Sequence, residues 1–455
     1  MDQFPQHSSY TEMKPVWQMC RDAATGQRAI HKGGEKYLDK LEGQSTEQYK
    51  KYLRRATFLG ATGRTLEAMT GLIFRKAPAI ELPTAMESWA QDIDLAGTTL
   101  EGMLNKAVTE VGKVGRGGVL VDHPPKRDDL TLEQARALSF RPYAAYYTAE
   151  NIINWKFQRV GNVTKLAYVC LAENHDDDPD KEQYRELELV DGLYQQNIWR
   201  ENGEQYDLEV IEPKMNGQRI ADIPFFFLAP KEPGQDIQPP PIEPLVYINI
   251  SHYRNSADLE NGAHVSGMPT PYVTGITDDD FVFHLGGAGI ALPEGSTAGF
   301  LQCGSEGFAT LENLMDRKEQ QMASLGARLI APEKKAAETA ETTAYKHSGE
   351  NATLSTIAGS VEQQFQKVLQ FMADWAGITG DVRCELNKDY LQSPIGYQDL
   401  NALVSAWQQG AMSFDTLWLA MQKGEVAPES VSAEEEQARI AESEPALGTI
   451  TNDDQ

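Results

Sequence analysis

The sequence has few cysteines and no long apolar run, and these absences exclude whole classes of protein. Its four cysteines, Cys20, Cys170, Cys303 and Cys384, lie far apart, without the spacing of a zinc site or a disulfide framework. No stretch reaches the roughly 18 apolar residues that a membrane-spanning helix needs. Residues 1–5 lack the basic start and apolar core of a signal peptide. We therefore expect a protein of the reducing cytosol, with no metal site and no membrane segment.

Positive charge is also scarce. The 455-residue chain carries 41 Lys and Arg against 67 Asp and Glu, which gives a formal net charge of −26. Proteins that read a nucleic-acid sequence normally carry a basic face, so this balance argues against that role. It is compatible with a protein past which nucleic acid slides without being gripped.

Local signatures of catalysis are missing as well. Gly112-Lys113 is not a Walker A motif, because no Ser or Thr follows it and the order of strand and helix is reversed. The eight histidines are scattered singly. The run 278–280 has three aspartates, which could hold Mg²⁺ in a metal-dependent hydrolase, but three consecutive carboxylates cannot all face one ion. We expect no enzyme activity and no cofactor.

The first half of the chain predicts helices followed by a β meander. Residues 11–78 are typical of helix apart from a break at Gly33-Gly34, and a second amphipathic helix spans 100–111. A glycine turn then leads into a short buried strand within 115–122. Residues 141–230 alternate polar with apolar side chains, and three dipeptides favour tight hairpin turns. These dipeptides are Asp191-Gly192, Asn202-Gly203 and Asn216-Gly217.

A proline-rich spacer at 230–244 separates this part from an ordered succession of helices. Residues 245–265 predict a helix with a half-polar face, which ends at Gly267. Short apolar runs broken by glycine and proline at 270–307 favour strands and turns. A second helix follows from 309, with a possible end at Gly326. The face of the first helix consists of Leu245, Ile248, His252, Ser256, Leu259 and Ala263.

Residues 331–354 lack the apolar period of their neighbours and are interpreted as an exposed polar loop. The clearest amphipathic helix of the chain comes next and is expected to pack in the core. Helices at 398–409 and 414–423 follow. From residue 425 onward there are nine acids and a single base, Arg439, which predicts a charged helix that fades into disorder. The core-facing residues of the amphipathic helix are Ile357, Val361, Phe365, Val368, Met372 and Trp375.

Taken in order, several segments resemble bacteriophage portal proteins, in particular the group of tailed-phage portals first recognised as a domain of unknown function. The resemblance extends over residues 49–444. The segments are YLRRA at 52–56, RTLEAMTGLIFR at 64–75, GRGGVLVD at 115–122, NISHYRNSAD at 249–258, AGSVE at 358–362, GAMSFDT at 410–416 and EEEQAR at 434–439.

This resemblance implies an α+β subunit of a ring, usually of about twelve copies, at one capsid vertex. Double-stranded DNA would enter and leave through the ring without sequence-specific contacts. The implied partners are the terminase packaging motor, a head–tail adaptor, and the major capsid and scaffold proteins. The protein would reside in the virion, and in the host cytoplasm during assembly. The implied parts are a wing (1–243), a first stem helix (244–267), a clip (268–307), a second stem helix (308–330), a channel loop (331–354), a long wing helix (355–380) and a helical crown with an acidic tail (381–455).

The resemblance also suggests which side chains meet DNA and partner proteins. Unspecific phosphate contacts are expected from Lys334, Lys335, Lys346 and His347 on the channel loop, with Arg317, Lys318 and Arg328 on the second stem helix as alternatives. The clip is expected to meet partners through Tyr272, Phe281, Phe283 and Leu301.

Two other functions stay open at this point. A head–tail adaptor or scaffold protein would differ from a portal in its stoichiometry and in binding to a preformed portal ring. A metal-dependent nucleic-acid hydrolase would use Asp278, Asp279 and Asp280, and would lose its activity when Asp279 is replaced.

Overall fold

The chain forms two compact units, Met1–Lys388 and Asp389–Gln455. The computed structural model describes residues 4–124, 138–175, 178, 181–267, 270–275, 292, 294–301, 306–326, 340–388, 390, 397–424, 426–428 and 431–443.

Five helices build the first part of the larger unit: α1 (Ser8–Thr25), α2 (Gln27–Gly33), α3 (Thr46–Arg55), α4 (Ala61–Ile73) and α5 (Leu100–Val114). Ser45 and Gln48 form a capping box at the start of α3. The Thr99 hydroxyl accepts from the Gly102 N–H at the start of α5, and Gly115, with φ of 71°, ends that helix in the left-handed region. Helix prediction for residues 11–78 was too continuous, because the chain also leaves the helical conformation at 37–45 and 56–60.

Antiparallel sheets follow, of which the two larger have five and three strands. The strands are β1 (Ala79–Glu81), β2 (Gly117–Asp122), β3 (Tyr143–Thr148), β4 (Ile152–Val160), β5 (Val163–Asn174), β6 (Glu182–Val190), β7 (Leu193–Asn202), β8 (Gln205–Ile211), β9 (Lys214–Met215), β10 (Gln218–Arg219) and β11 (Phe225–Leu228). Strands β4 to β8 pair in chain order, which confirms the predicted meander. Asp191 and Gly192, with φ of 52° and 80°, make the β6–β7 turn. A three-stranded sheet of order β11-β2-β3 places the fully buried β2 at its centre.

A buried polar network connects the two sheets. The Arg185 guanidinium on β6 donates to Glu173 at 2.8 Å and to Gln196 at 2.8 Å. The Gln196 amide donates in turn to Asp122 at 2.9 Å. Tyr147 on β3 donates to the same Glu173 carboxylate at 2.5 Å. The two buried carboxylates are therefore neutralised and hydrogen-bonded together, which fixes the central strand β2 relative to the meander.

The predicted succession of long helices is present. It consists of α6 (Glu243–Gly267), β12 (Thr270–Thr274), β13 (Thr297–Leu301), α7 (Glu306–Ser324) and α8 (Ala340–Ala376). Strands β12 and β13 pair antiparallel. The six core-facing residues predicted for α8 are all buried. They pack this helix against α4, α5, β2 and β11.

The prediction of a polar loop at 331–354 was wrong for its second half. Residues 340–354 belong to α8, while residues 331–339 lie outside the described part of the chain. The lack of an apolar period was read as a lack of helix, although alanine and glutamate favour helix without one. Adding residues to an existing helix is also far easier than starting a new one. Gly349 alone does not end it. The helix predicted for 308–330 starts at Glu306 and ends at Ser324.

The smaller unit contains α9 (Tyr397–Gln408), α10 (Phe414–Lys423) and α11 (Ala433–Ser443). Ser413 caps α10 by accepting from the Thr416 N–H at 3.2 Å. The Trp418 indole is buried, donates to the Val431 carbonyl at 2.9 Å and stacks on Phe414. None of the described residues of α9 is buried within this unit.

None of the described helices is both long and apolar enough to cross a membrane.

One strand pairing was not predicted from the sequence. The short strand β1 pairs antiparallel with β14 (Arg383–Glu385), with Ala79 opposite Glu385. The two strands come from opposite ends of the larger unit and bring the segment after α8 back to the segment after α4.

Candidate assembly surface

Helices α6 and α7 form an antiparallel pair with a β hairpin at one end. Gly262 near the end of α6 lies against the Phe308 ring at the start of α7, where an added Cβ would come within 2.6 Å of Cε1. Further along, the Lys318 ammonium of α7 donates to the Ser251 carbonyl of α6 at 2.9 Å. Met322 is buried in the core that α6 shares with the first helices. These contacts follow one stripe of α7 at steps of three and four residues, as expected for one helical face. The stripe consists of Phe308, Leu311, Met315 and Lys318, which are half-buried, and the buried Met322.

A histidine–glutamate contact lies in the middle of this pair. Nε2 of the buried His252 is 3.3 Å from Oε1 of Glu319 on α7. Burial lowers the pKa of His252, although the neighbouring Glu319 carboxylate acts in the opposite direction. Burial and the nearby Arg254 also lower the pKa of Lys318. His252 therefore favours its neutral form. The half-polar face of α6 contacts α7 through His252, and it contacts the N-terminal part of the chain through Leu245 and Ser256.

Helix α6 is fixed to the N-terminal helices by buried hydrogen bonds. The Asn249 side chain accepts from the Thr62 N–H at 3.2 Å and from its hydroxyl at 2.8 Å, and donates to the Leu59 carbonyl at 2.9 Å. The Tyr52 hydroxyl donates to Asp258 at 2.6 Å. These bonds hold the first part of α6 rigidly, so the position of α7 and of the hairpin is set by the larger unit.

The face of α7 beside the packed stripe is open in the described part of the chain. Leu314 on α7 and Leu325, the first residue after the helix, are 41% and 46% exposed, and Arg317 is exposed as well. Val265 at the end of α6 is exposed as well. A two-helix rod with one packed stripe and an open mixed face is what a subunit presents when its neighbours complete the packing.

The hairpin carries exposed aromatic residues. Tyr272 on β12 pairs with Gly299 on β13, and the ring of Tyr272 is exposed. Phe300, which neighbours Gly299, is also exposed. Phe300 was not singled out in the sequence, although it is the aromatic residue of the short apolar run that forms β13. Aromatic residues are enriched in protein interfaces, so the hairpin is suited to contact a partner.

The structure locates only some of the residues predicted to contact DNA or partners. Arg317 is exposed on α7, whereas Lys318 is bound to a backbone carbonyl of α6 and is not a free cation. Lys346 and His347 lie in the first turns of α8, whose side chains are not described. The predicted positions outside the described residues are Arg328, Lys334, Lys335, Phe281 and Phe283, together with Asp278, Asp279 and Asp280 and the side chain of Leu301.

The described residues contain no group of three or more His, Cys, Asp or Glu side chains that could hold a metal ion. Cys20, Cys170 and Cys384 are buried, and burial raises the pKa of each thiol to about 12. These three sulfurs are therefore protonated at neutral pH and poor nucleophiles.

Comparisons with known proteins locate a family match on this region. The family described as "Domain of unknown function (DUF4055)" matches residues 241–376, the segment that runs from α6 through the hairpin and α7 to the end of α8. A comparison with curated proteins finds no match. Among solved structures, the chain is similar to a chain in the virion of a native gene transfer agent particle, with 9% identity and a TM-score of 0.42, covering 89% of this chain and 99% of that one. A chain in the neck of an empty gene transfer agent particle gives 10% identity and a TM-score of 0.40, covering 81% and 90%.

Proposed function

We propose that this chain is a portal protein, a subunit of a ring at one vertex of a phage-like capsid. The observation that carries the proposal is the α6–hairpin–α7 rod, which is fixed to the larger unit on one side and open on the other. Placed side by side around an axis, such rods complete one another's packing and line a passage. The resemblance of the sequence to tailed-phage portals supports the same assignment.

In this proposal the ring has about twelve copies and conducts double-stranded DNA during packaging and ejection. A chain with a net charge of −26 repels phosphates on average. DNA would therefore pass without being held, guided by a few cations. We assign this guidance to Lys334 and Lys335. Lys346 and His347, which follow them in the sequence, and the exposed Arg317 on α7 would contribute as well. No catalytic step is assigned to the chain.

The hairpin end of the rod would meet other virion proteins. Tyr272 and Phe300 are exposed there, and the terminase motor and head–tail adaptor would bind this end in turn. Contacts with the major capsid and scaffold proteins would be made by the wing, and the protein would reside in the virion after assembly in the host cytoplasm.

Native mass spectrometry and negative-stain microscopy of the purified full chain test the ring. We expect rings with a central hole for the wild type and loss of rings in the double variant Leu314→Glu/Leu325→Glu. Leu208→Glu is the matched control, because Leu208 on β8 is similarly exposed, at 47%, but distant in the fold from the open face of α7. A wild type that is monomeric alone and in assembled particles would refute the proposal. Rings that persist in the α7 variant would refute the assignment of this face.

A second experiment tests the passage of DNA. Lys334→Ala/Lys335→Ala should reduce the amount of packaged DNA while rings still form. Lys50→Ala/Lys51→Ala, a pair of exposed lysines on α3, is the matched control and should package normally. Equal packaging by both variants would remove Lys334 and Lys335 from the mechanism.

A further inference from the structure

A cavity of about 450 Å³ lies on the larger unit, away from the open face of α7. One wall is formed by β4 and β5, a second by β11, a third by the proline-rich spacer and the floor by α8. Phe157, Leu166, Phe225 and Phe227 give it an apolar lining. This volume falls in the range of ligand pockets, which combine apolar walls with a few placed polar groups.

Gln364 of α8 is the buried polar group of this cavity. Its side chain lines the cavity but is only 4% exposed, and its Nε2 donates to no described residue. Buried amide donors in folded proteins nearly always have an acceptor. One turn earlier, the Ser360 hydroxyl contacts the carbonyls of Ala229 at 2.8 Å and Lys231 at 2.6 Å, which fixes the spacer beside the cavity. Gln364 therefore lies beside a fixed spacer, with a donor that has no partner among the described residues.

A free cation lies beside this donor. Lys367 follows Gln364 by three residues, so both are on one face of α8, and both line the cavity. Lys367 is exposed and makes no ion pair with a described residue. The other ammonium group of the lining, that of Lys165, is paired with Asp222 at 2.7 Å. Glu232 on the spacer is the remaining carboxylate of the rim. An amide donor and an ammonium group on one helical face suit a carboxylate, which accepts several hydrogen bonds.

The surroundings favour a peptide as the carrier of this carboxylate. Strand β11 is the edge of its sheet and pairs only with β2 among the described strands. Its unpaired edge offers backbone groups to an extended segment. Phenylalanine side chains on two walls would accommodate an apolar residue next to the acid.

We propose that this cavity binds an extended peptide segment of another polypeptide, in which an apolar residue is followed by an acidic one. The acid contacts Gln364 and Lys367, and the apolar side chain enters between the phenylalanines. Peptide binding at this cavity does not require ring formation, so its test is independent of the proposed portal function.

Titration of the full-length protein with two peptides tests the proposal, with binding followed by isothermal calorimetry or by NMR. The probes are acetyl-Val-Phe-Asp-Val-amide and the same peptide with Asn in place of Asp, which removes only the charge. We expect the Asp peptide to bind at least tenfold more tightly. Gln364→Leu and Lys367→Met should each weaken it at least fivefold, and Gln363→Leu, at the exposed neighbouring position, should leave it unchanged.

Equal affinity for the two peptides, or no binding of either at millimolar concentration, would overturn the proposal. So would a Lys367→Met variant that binds like the wild type, which also covers the case in which Gln364→Leu fails to fold. Loss of binding in all three variants, including Gln363→Leu, would point to a site elsewhere on α8.

Discussion

Arg116 is a charged side chain inside the apolar core. It lies between α5 and β2, is 1% exposed, and its Nε, Nη1 and Nη2 atoms have no hydrogen-bond partner among the described residues. The guanidinium carbon is 4.6 Å from the centroid of the Trp155 ring and 3.9 Å from that of Phe227. Burial lowers the pKa of Arg116 to about 9, so the group is still charged at neutral pH. The two aromatic rings are thus the compensation that the structure offers for this charge.

Typical energies predict that the two ring contacts do not fully offset the cost of removing the Arg116 charge from water. Removing an ion from water costs several kcal/mol in a real protein. Each desolvated cation–π contact returns about 2 kcal/mol, so two rings leave a small deficit. Methionine has a similar length, fits irregular apolar space and carries no charge. We expect Arg116→Met to raise the free energy of unfolding by about 1–4 kcal/mol, the range found when buried ions are replaced by packed apolar residues.

Urea unfolding at pH 7 measures this change. Arg159→Met, at an exposed arginine of β4, is the matched control and should stay within about 0.5 kcal/mol of the wild type. The sign of the pH dependence follows from the lowered pKa. Above about pH 9 the folded wild type loses its proton more readily than the unfolded chain, so its stability rises and the advantage of Arg116→Met shrinks. A loss of more than about 1 kcal/mol in Arg116→Met would refute the reasoning and would mean that the ring contacts outweigh desolvation.

Three further predictions concern the α6–α7 pair, and urea unfolding measures each. Burial lowers the pKa of His252 below 6.5, so the unfolded chain takes up the proton more readily than the folded chain. The wild type should therefore lose stability relative to His252→Leu as the pH falls below 6.5. Stability profiles that run parallel for the two proteins would contradict this. Asn249→Leu leaves the Thr62 N–H and hydroxyl without an acceptor and should cost about 2–4 kcal/mol, whereas a cost below about 1 kcal/mol would mean that the site relaxes. Gly262→Ala should cost about 1–3 kcal/mol through overpacking against the Phe308 ring, and the additional change Phe308→Leu should restore much of that loss; additive costs in the double variant would exclude the clash.

Sequence patterns predicted the helices and turns that are determined by residues close together in the chain. The spacing from Ile357 to Trp375 identified a core helix because one face of a helix repeats every three or four residues. The dipeptide Asp191-Gly192 identified a hairpin because both residues tolerate positive φ. Gly326, with φ of 113°, follows the end of α7 for a related reason, and Gly267 is the last residue of α6.

Features that depend on distant residues could not be predicted in this way. Nothing in Phe225–Leu228 indicates that this strand pairs with β2, because edge and partner are chosen by the three-dimensional fold. The contact of Lys318 could not be foreseen for the same reason, since its acceptor is a backbone carbonyl of α6. Gln364 was not singled out in the sequence, because its burial depends on the spacer and on β11.

The pairing of β1 with β14 has a consequence for the biosynthesis of the subunit. Arg383 and Glu81, which also contact each other through their side chains, are 302 positions apart in the chain. A ribosome that adds about 5–20 residues per second needs roughly 15–60 s to make that span. In the last part of this interval the open face of α7 has been synthesised, while the strand that closes the larger unit has not. Nascent chains therefore expose this face of α7 before the larger unit is closed, and a slow codon region or a chaperone acting before residue 383 would change the yield of correctly folded chains.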